Sequence, residues 1–165
     1  GGELEAGGDL VGGRAAGGGR PDEDWIAAVL DHPFYLAPPP KSTGREHFHG
    51  EWLARQLPDH YDAQQVQATL ADLTARSISD ALADFAPQQL LVCGGGAHNR
   101  HLLARLGHYL GIPVASTDSE GLHPDWVEAA AFAWLAWARL EGQYGNAPVV
   151  TGASREAILG QVTLP

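Results

Sequence analysis

Gln89-Leu90-Leu91-Val92-Cys93 is a short apolar run, Gly94-Gly95-Gly96 follows at once, and Leu102, Leu103, Leu106 and Leu110 then recur at helical spacing. A brief apolar run bounded by glycine predicts a buried strand, and the period that follows predicts a helix over 100–110. Strand, glycine turn and helix in that order make the chain reverse within a few residues. Glycine permits this because, lacking Cβ, it takes up positive φ without a clash and lets a ligand or another backbone come close. The triplet suits a nucleotide, and it equally suits a tight turn where a helix packs on a strand. It departs from the dinucleotide fingerprint, since Asn99 stands where that pattern takes glycine or alanine. Asn99 either caps the helix or hydrogen-bonds a base or sugar. Cys93, at the strand end, reads as a small buried hydrophobe rather than a nucleophile.

The second half of the chain alternates helix and strand. Residues 62–85 carry Val66, Leu70, Leu73, Ile78, Leu82 and Phe85 at helical spacing, and Asp62 with Gln65 makes a capping start. Ile112-Pro113-Val114-Ala115 is a second strand candidate, so helix, strand, helix and strand together predict α/β architecture with some parallel pairing. Residues 125–140 hold Trp126, Val127, Phe132, Trp134, Leu135 and Trp137 among alanines, which predicts a helix buried on most sides. A last helical element is expected over 154–159, capped by Ser154 and stopped by Gly160.

Upstream, residues 22–30 and 50–57 read as short helices, and the proline-led stretch 36–46 as a stiff extended loop. Residues 1–21 are glycine-rich with few large apolar side chains, which predicts a flexible segment ahead of a lobe spanning 22–165. The chain reads as starting in the middle of something longer. With 20 acidic against 10 basic residues, a net charge of −10 argues against a nucleic-acid or anionic-membrane partner. A single cysteine excludes an intrachain disulfide and suits a reducing compartment, so a cytoplasmic location is expected.

Lys41-Ser42-Thr43 resembles the end of a phosphate-binding P-loop, but Pro40 stands where glycine is required. What remains, Lys41 and Arg45 beside two hydroxyls, suits an anion or a sugar, or else a loop held by local hydrogen bonds. Glu128 is the one acidic side chain within the apolar helix beyond Asp125. Asp125-x-x-Glu128 fits a capping pair, and Glu128 at a cleft mouth would accept from sugar hydroxyls. The pairs His47/His49 and His98/His101 have chelate-like spacing but no cysteine partner, so no metal site is expected in the chain.

Five ordered blocks, Pro38 to Glu46, Thr74 to Ile78, Cys93 to Asn99, Asp125 to Ala136 and Val150 to Arg155, together resemble the anhydro-N-acetylmuramic acid kinases. The resemblance implies a C-terminal lobe of RNase H-like fold, of the actin, Hsp70 and sugar kinase type, with a mixed sheet and packed helices. It implies an ATP- and Mg²⁺-dependent phosphorylation of 1,6-anhydro-N-acetylmuramic acid with cleavage of the anhydro ring, giving N-acetylmuramic acid 6-phosphate in peptidoglycan recycling. By the same resemblance Gly94, Gly95, Gly96 and Asn99 border the adenosine, Glu128 contacts the sugar, and Lys41, Ser42, Thr43 and Arg45 match a loop of undetermined role. The family's base and phosphate loop lie in an N-terminal half that this sequence does not contain. No catalytic residue is therefore expected here, and the chain alone is expected to be inactive, whether as one half of an enzyme, a homodimer or an adenosine-binding lobe needing a partner chain. A Rossmann-like methyltransferase or dinucleotide binder, with Asp118 holding a ribose, is the alternative from another class.

Overall fold

The structure, a computed structural model, describes residues 14–38, 41–44 and 46–163. Most of the glycine-rich opening, Pro39-Pro40 and Arg45 lie outside the described residues. Strand β1 (Leu90–Val92) pairs in parallel with β2 (Val114–Ser116), Leu91 opposite Ala115, and helix α6 (Arg100–Leu110) joins them. A parallel pair needs such a crossover, because the chain must return to the starting end of the first strand. Asn99 opens α6 by accepting from the Leu102 N–H at 3.0 Å, and Gly111, at φ +65°, closes it. Among the described residues the sheet consists of these two strands, so the fold is mixed α/β with a small parallel sheet.

Helix α5 (Ala63–Leu82) starts where the Asp62 carboxylate accepts from the Gln65 N–H at 2.7 Å. It lies beside α6 and runs the same way: Asn99 and Leu102 share one cleft with Val66 and Leu70, while Tyr109 and Leu110 share another with Arg76 and Ser79. Fully buried Ala68 and Ala75 leave α5 a smooth packing face. On that face Asp72, also fully buried, is bonded by the Arg105 guanidinium and the Tyr109 hydroxyl of α6, with Arg76 Nε 3.3 Å away. Burial alone would lower the Arg105 pKa, yet Asp72 and Tyr109 outweigh it and leave the guanidinium more firmly charged.

The segment expected to be flexible includes residues that the structure describes. Arg14–Gly18 forms helix α1 against α5, with Ala16 buried. The glycines explain this, since a Cβ on Gly19 would run into the Gln64 carbonyl and come within 2.8 Å of Ala68 Cβ. Absence of a side chain at Gly19 lets the two backbones approach closely.

The apolar core gathers Trp25, Ile26 and Val29 of α2 (Glu23–Leu30) against Leu73 of α5, with Leu53 of α4 (Gly50–Gln56) and Tyr35 of α3 (Pro33–Leu36) at its margin. Trp25 Nε1 donates to the Gln56 carbonyl at 2.9 Å, satisfying the buried indole and tying α2 to the end of α4.

Two expectations fail downstream. Helix α7 (Val127–Leu140) forms as predicted, but Ala138 is its one buried residue; Phe132 and Leu140 are 64% and 74% exposed. Apolar composition all round signals burial only when something is present to cover each side. Residues 154–159 are not helical. Instead Pro148–Thr151 forms the short α8, stopped by Gly152 at φ +72°. Asn146 holds the later segment open, donating to the Arg155 carbonyl and accepting from the Ala157 N–H. A proline at the first helical position and a side chain that competes for backbone groups outweigh the cap-and-stop pattern of Ser154 and Gly160.

Candidate functional site

The glycine turn leaves β1 at Gly94, whose φ of +69° and ψ of −166° lie outside the range open to residues with a side chain. Gly95–His98 then makes one 3-10 turn, and its buried Ala97 anchors the loop. A Cβ placed on Gly94 or Gly95 would meet nothing within 4 Å among the described residues. Internal packing therefore does not require a glycine at Gly95. At this point the backbone faces open space. Cys93, expected to be buried, is exposed beside it, because the side of the sheet that it faces is uncovered.

The turn is joined to the start of α7. The Gly94 N–H donates to the Pro124 carbonyl at 2.9 Å, and His98 Nε2 lies 2.7 Å from Asp125 Oδ1. A carboxylate only accepts, so His98 Nε2 carries the proton of this bond. Pro124–Trp126 is a 3-10 lead-in to α7, capped by His123, whose Nδ1 accepts from the Asp125 N–H at 3.3 Å. Nδ1 thus has no proton for the Asp125 carboxylate, 3.9 Å away. The expected Asp125-x-x-Glu128 capping pair is replaced by this histidine cap. Glu128, in the first turn of α7, is exposed and has no side-chain hydrogen bond or ion pair among the described residues.

An apolar cleft of about 600 Å³ opens between α5 and the start of α6, lined by Tyr61, Val66, Gln67, Leu70, Asn99 and Leu102; of the expected site residues Asn99 reaches it, while Gly94, Gly95, Gly96 and Glu128 are not in its lining. Asn99 spends its Oδ1 on the cap, which leaves its amide nitrogen for another partner. Tyr61 donates to the Asp22 carboxylate; burial, and then that bond, push the phenol up to about 12. The same bond, with the Trp25 N–H, holds the Asp22 carboxyl below the usual range.

The loop at Lys41 is elsewhere. Lys41 Nζ donates to the Tyr35 carbonyl at 2.8 Å and sits 5.2 Å from the centre of the Phe34 ring. Thr43 Oγ1 is 2.8 Å from His47 Nδ1, and Ser42 is exposed. This loop lines a hollow with Ser77 and Asp80 of α5, away from Asn99. Asp118 follows β2 with its N–H bonded to Ser116 Oγ. The structure therefore brings together Gly94, Gly95, Gly96, Asn99 and the helix start bearing Glu128, and it does not bring Lys41, Ser42 or Thr43 to them. His98 and Asp125, which link turn to helix, were not legible as a pair, because 27 residues separate them and each has an ordinary local reading.

Comparison with known proteins gives a consistent family. Anhydro-N-acetylmuramic acid kinase matches residues 10–165. Proteins of that name from Coxiella burnetii strain RSA 493 and Xylella fastidiosa strain Temecula1 are 46% and 47% identical over 154 residues, covering 91% of this chain and 41% and 40% of their own lengths. One from Saccharophagus degradans strain 2-40 is 46% identical over 160 residues, covering 94% of this chain and 43% of its own. The chain spans about two fifths of the length of these curated relatives.

Proposed function

This chain belongs to the anhydro-N-acetylmuramic acid kinase family, and on that footing we propose that it supplies the nucleotide-facing lobe for ATP-dependent phosphorylation of 1,6-anhydro-N-acetylmuramic acid. The product would be N-acetylmuramic acid 6-phosphate, formed in the cytoplasm as water adds at the anomeric carbon, the bond from that carbon to O6 breaks, and O6 takes the phosphoryl group with release of ADP. The lobe would be of the RNase H-like type. The observation that carries the reading is the open face of Gly94 and Gly95 beside the Asn99 cleft, linked through the Pro124 carbonyl to the helix that bears Glu128.

In this reading the turn and Asn99 border the adenosine, whose flat base suits an apolar cleft with few polar groups. Glu128, exposed and unengaged among the described residues, accepts from sugar hydroxyls. Lys41 and Thr43, held by Tyr35 and His47, serve the packing of the lobe. Bound ATP supplies the phosphoryl group; this chain's own residues bind and orient. Mg²⁺, when bound with ATP, would neutralise phosphate charge, and no cluster of His, Cys, Asp or Glu among the described residues is placed to hold it. The base and the phosphate-cradling loop would belong to the part of a family-length polypeptide that this sequence does not span. The exposed apolar side of α7 is where that part would pack. A homodimer through α7 is the competing arrangement.

The test is direct. The purified chain, with ATP, Mg²⁺ and the anhydro-sugar, is expected to give no phosphorylated product. Addition of a family-length polypeptide whose own Asn99-equivalent turn has been inactivated is expected to restore turnover. Family-level turnover by the chain alone would refute the assignment of the chemistry to missing groups.

A further inference from the structure

We infer that His98 and Asp125 form a positioning strut that makes the glycine turn and the Glu128-bearing end of α7 one rigid unit. This rests on the reading of the turn as a nucleotide site, and adds to it a device that neither ligand touches. The need for a strut follows from the turn itself. Three successive glycines have the largest backbone entropy to lose on ordering, and among the described residues Gly94 and Gly95 have no neighbours at the Cβ position to steady them.

Beyond its buried Ala97, two bonds among the described residues tie the turn to the lead-in of α7: Gly94 N–H to the Pro124 carbonyl at 2.9 Å, and His98 Nε2 to Asp125 Oδ1 at 2.7 Å. Both reach the same two-residue platform. That platform is stiff, because Pro124 is buried with its φ fixed by the ring, and His123 Nδ1 holds the Asp125 N–H. Glu128 stands three residues further on, in the first turn of α7. A displacement of the turn is thereby passed to Glu128 through Asp125. Binding on the nucleotide side and on the sugar side should be coupled, in the range of about 5- to 150-fold for linked sites.

The strut makes predictions separable from ligand binding. The amides of Gly94, Ala97 and Asn99 are hydrogen-bonded within or across the turn and report its order. Residue-resolved hydrogen exchange on the full chain is expected to speed at these amides by about tenfold in His98→Ala and Asp125→Ala, with far-UV circular dichroism unchanged because both side chains are roughly half exposed. His98→Gln, which keeps an N–H donor, is expected to restore protection. Unchanged exchange in His98→Ala would overturn the strut, as would loss of protection in His98→Gln equal to that in His98→Ala. In a parallel titration with ADP, wild type is expected to bind about tenfold more tightly than His98→Ala, with His98→Gln near wild type. Equal affinity of wild type and His98→Ala would overturn the positioning role. If wild type shows no ADP binding while exchange responds as stated, the nucleotide reading fails and the strut stands.

Discussion

Asp72 is the residue on which the contact between α5 and α6 converges, since its buried carboxylate is met by Arg105, Tyr109 and Arg76. Removing Asp72 leaves Arg105 without its carboxylate while Arg76 keeps Glu23, at a cost of about 3 kcal/mol, the low end for breaking a buried pair. Asp72→Ala is expected to lose that much in urea unfolding, and a loss under 1 kcal/mol would show, by the same principle, that the cluster is dispensable. The Tyr61–Asp22 bond gives a pH signature at both ends. The Tyr61 pKa is raised from 10.0 to about 12, so the folded state holds the proton more tightly; its contribution is complete below pH 10.0 and is lost as pH rises through about 12. The Asp22 pKa is lowered, so its contribution is present above 3.8 and is lost as pH falls through the depressed folded value. Tyr61→Phe is expected to flatten both slopes in the pH dependence of the unfolding midpoint; an unaltered profile would remove the bond from the account. None of these partners was legible in the sequence. The pattern of α5 shows which face turns inward, but the 33-residue gap between Asp72 and Arg105 hides the pairing.

At the scale of elements, histidine as a cap is the device the sequence conceals best. His32, His49 and His123 each accept a backbone N–H through Nδ1 at the start of a helical turn. Residues chosen from their spacing as chelate candidates thus include one, His49, that caps a helix. His123→Ala is expected to cost about 1 kcal/mol, and His123→Asn, which supplies an acceptor oxygen, to recover most of it in thermal melts. Equal stability of the two variants would count against the cap. The strand, turn and helix over 89–110, the start of α5 at Asp62 and the span of α7 are legible because period and cap agree there. The last element is misplaced because its cap-and-stop residues compete with Pro148 and Asn146, whose partners lie 9 and 11 residues away for the latter.

At the scale of the whole molecule, large apolar side chains stand exposed among the described residues. Phe132, Trp134, Trp137 and Leu140 on α7 are all at least half exposed, Val149 of α8 is 90% exposed, and Leu91 of β1 is also uncovered. An exposed patch of this kind suits contact with another polypeptide surface, the arrangement proposed above for α7. Sedimentation of the isolated chain is expected to show concentration-dependent self-association, reduced in a Phe132→Ser, Leu140→Ser variant of stability within about 0.5 kcal/mol of wild type. A monomer at all concentrations would argue that the face is merely solvated. The central claim, that Gly94 to Asn99 forms the wall of an adenosine site, is tested most directly by amide chemical shifts during an ATP titration. The account predicts saturable shifts concentrated at Gly94, Gly95, Gly96 and Asn99 and along the cleft at Val66 and Leu70; shifts absent there, or confined to the loop at Lys41 to Gly44, would contradict it.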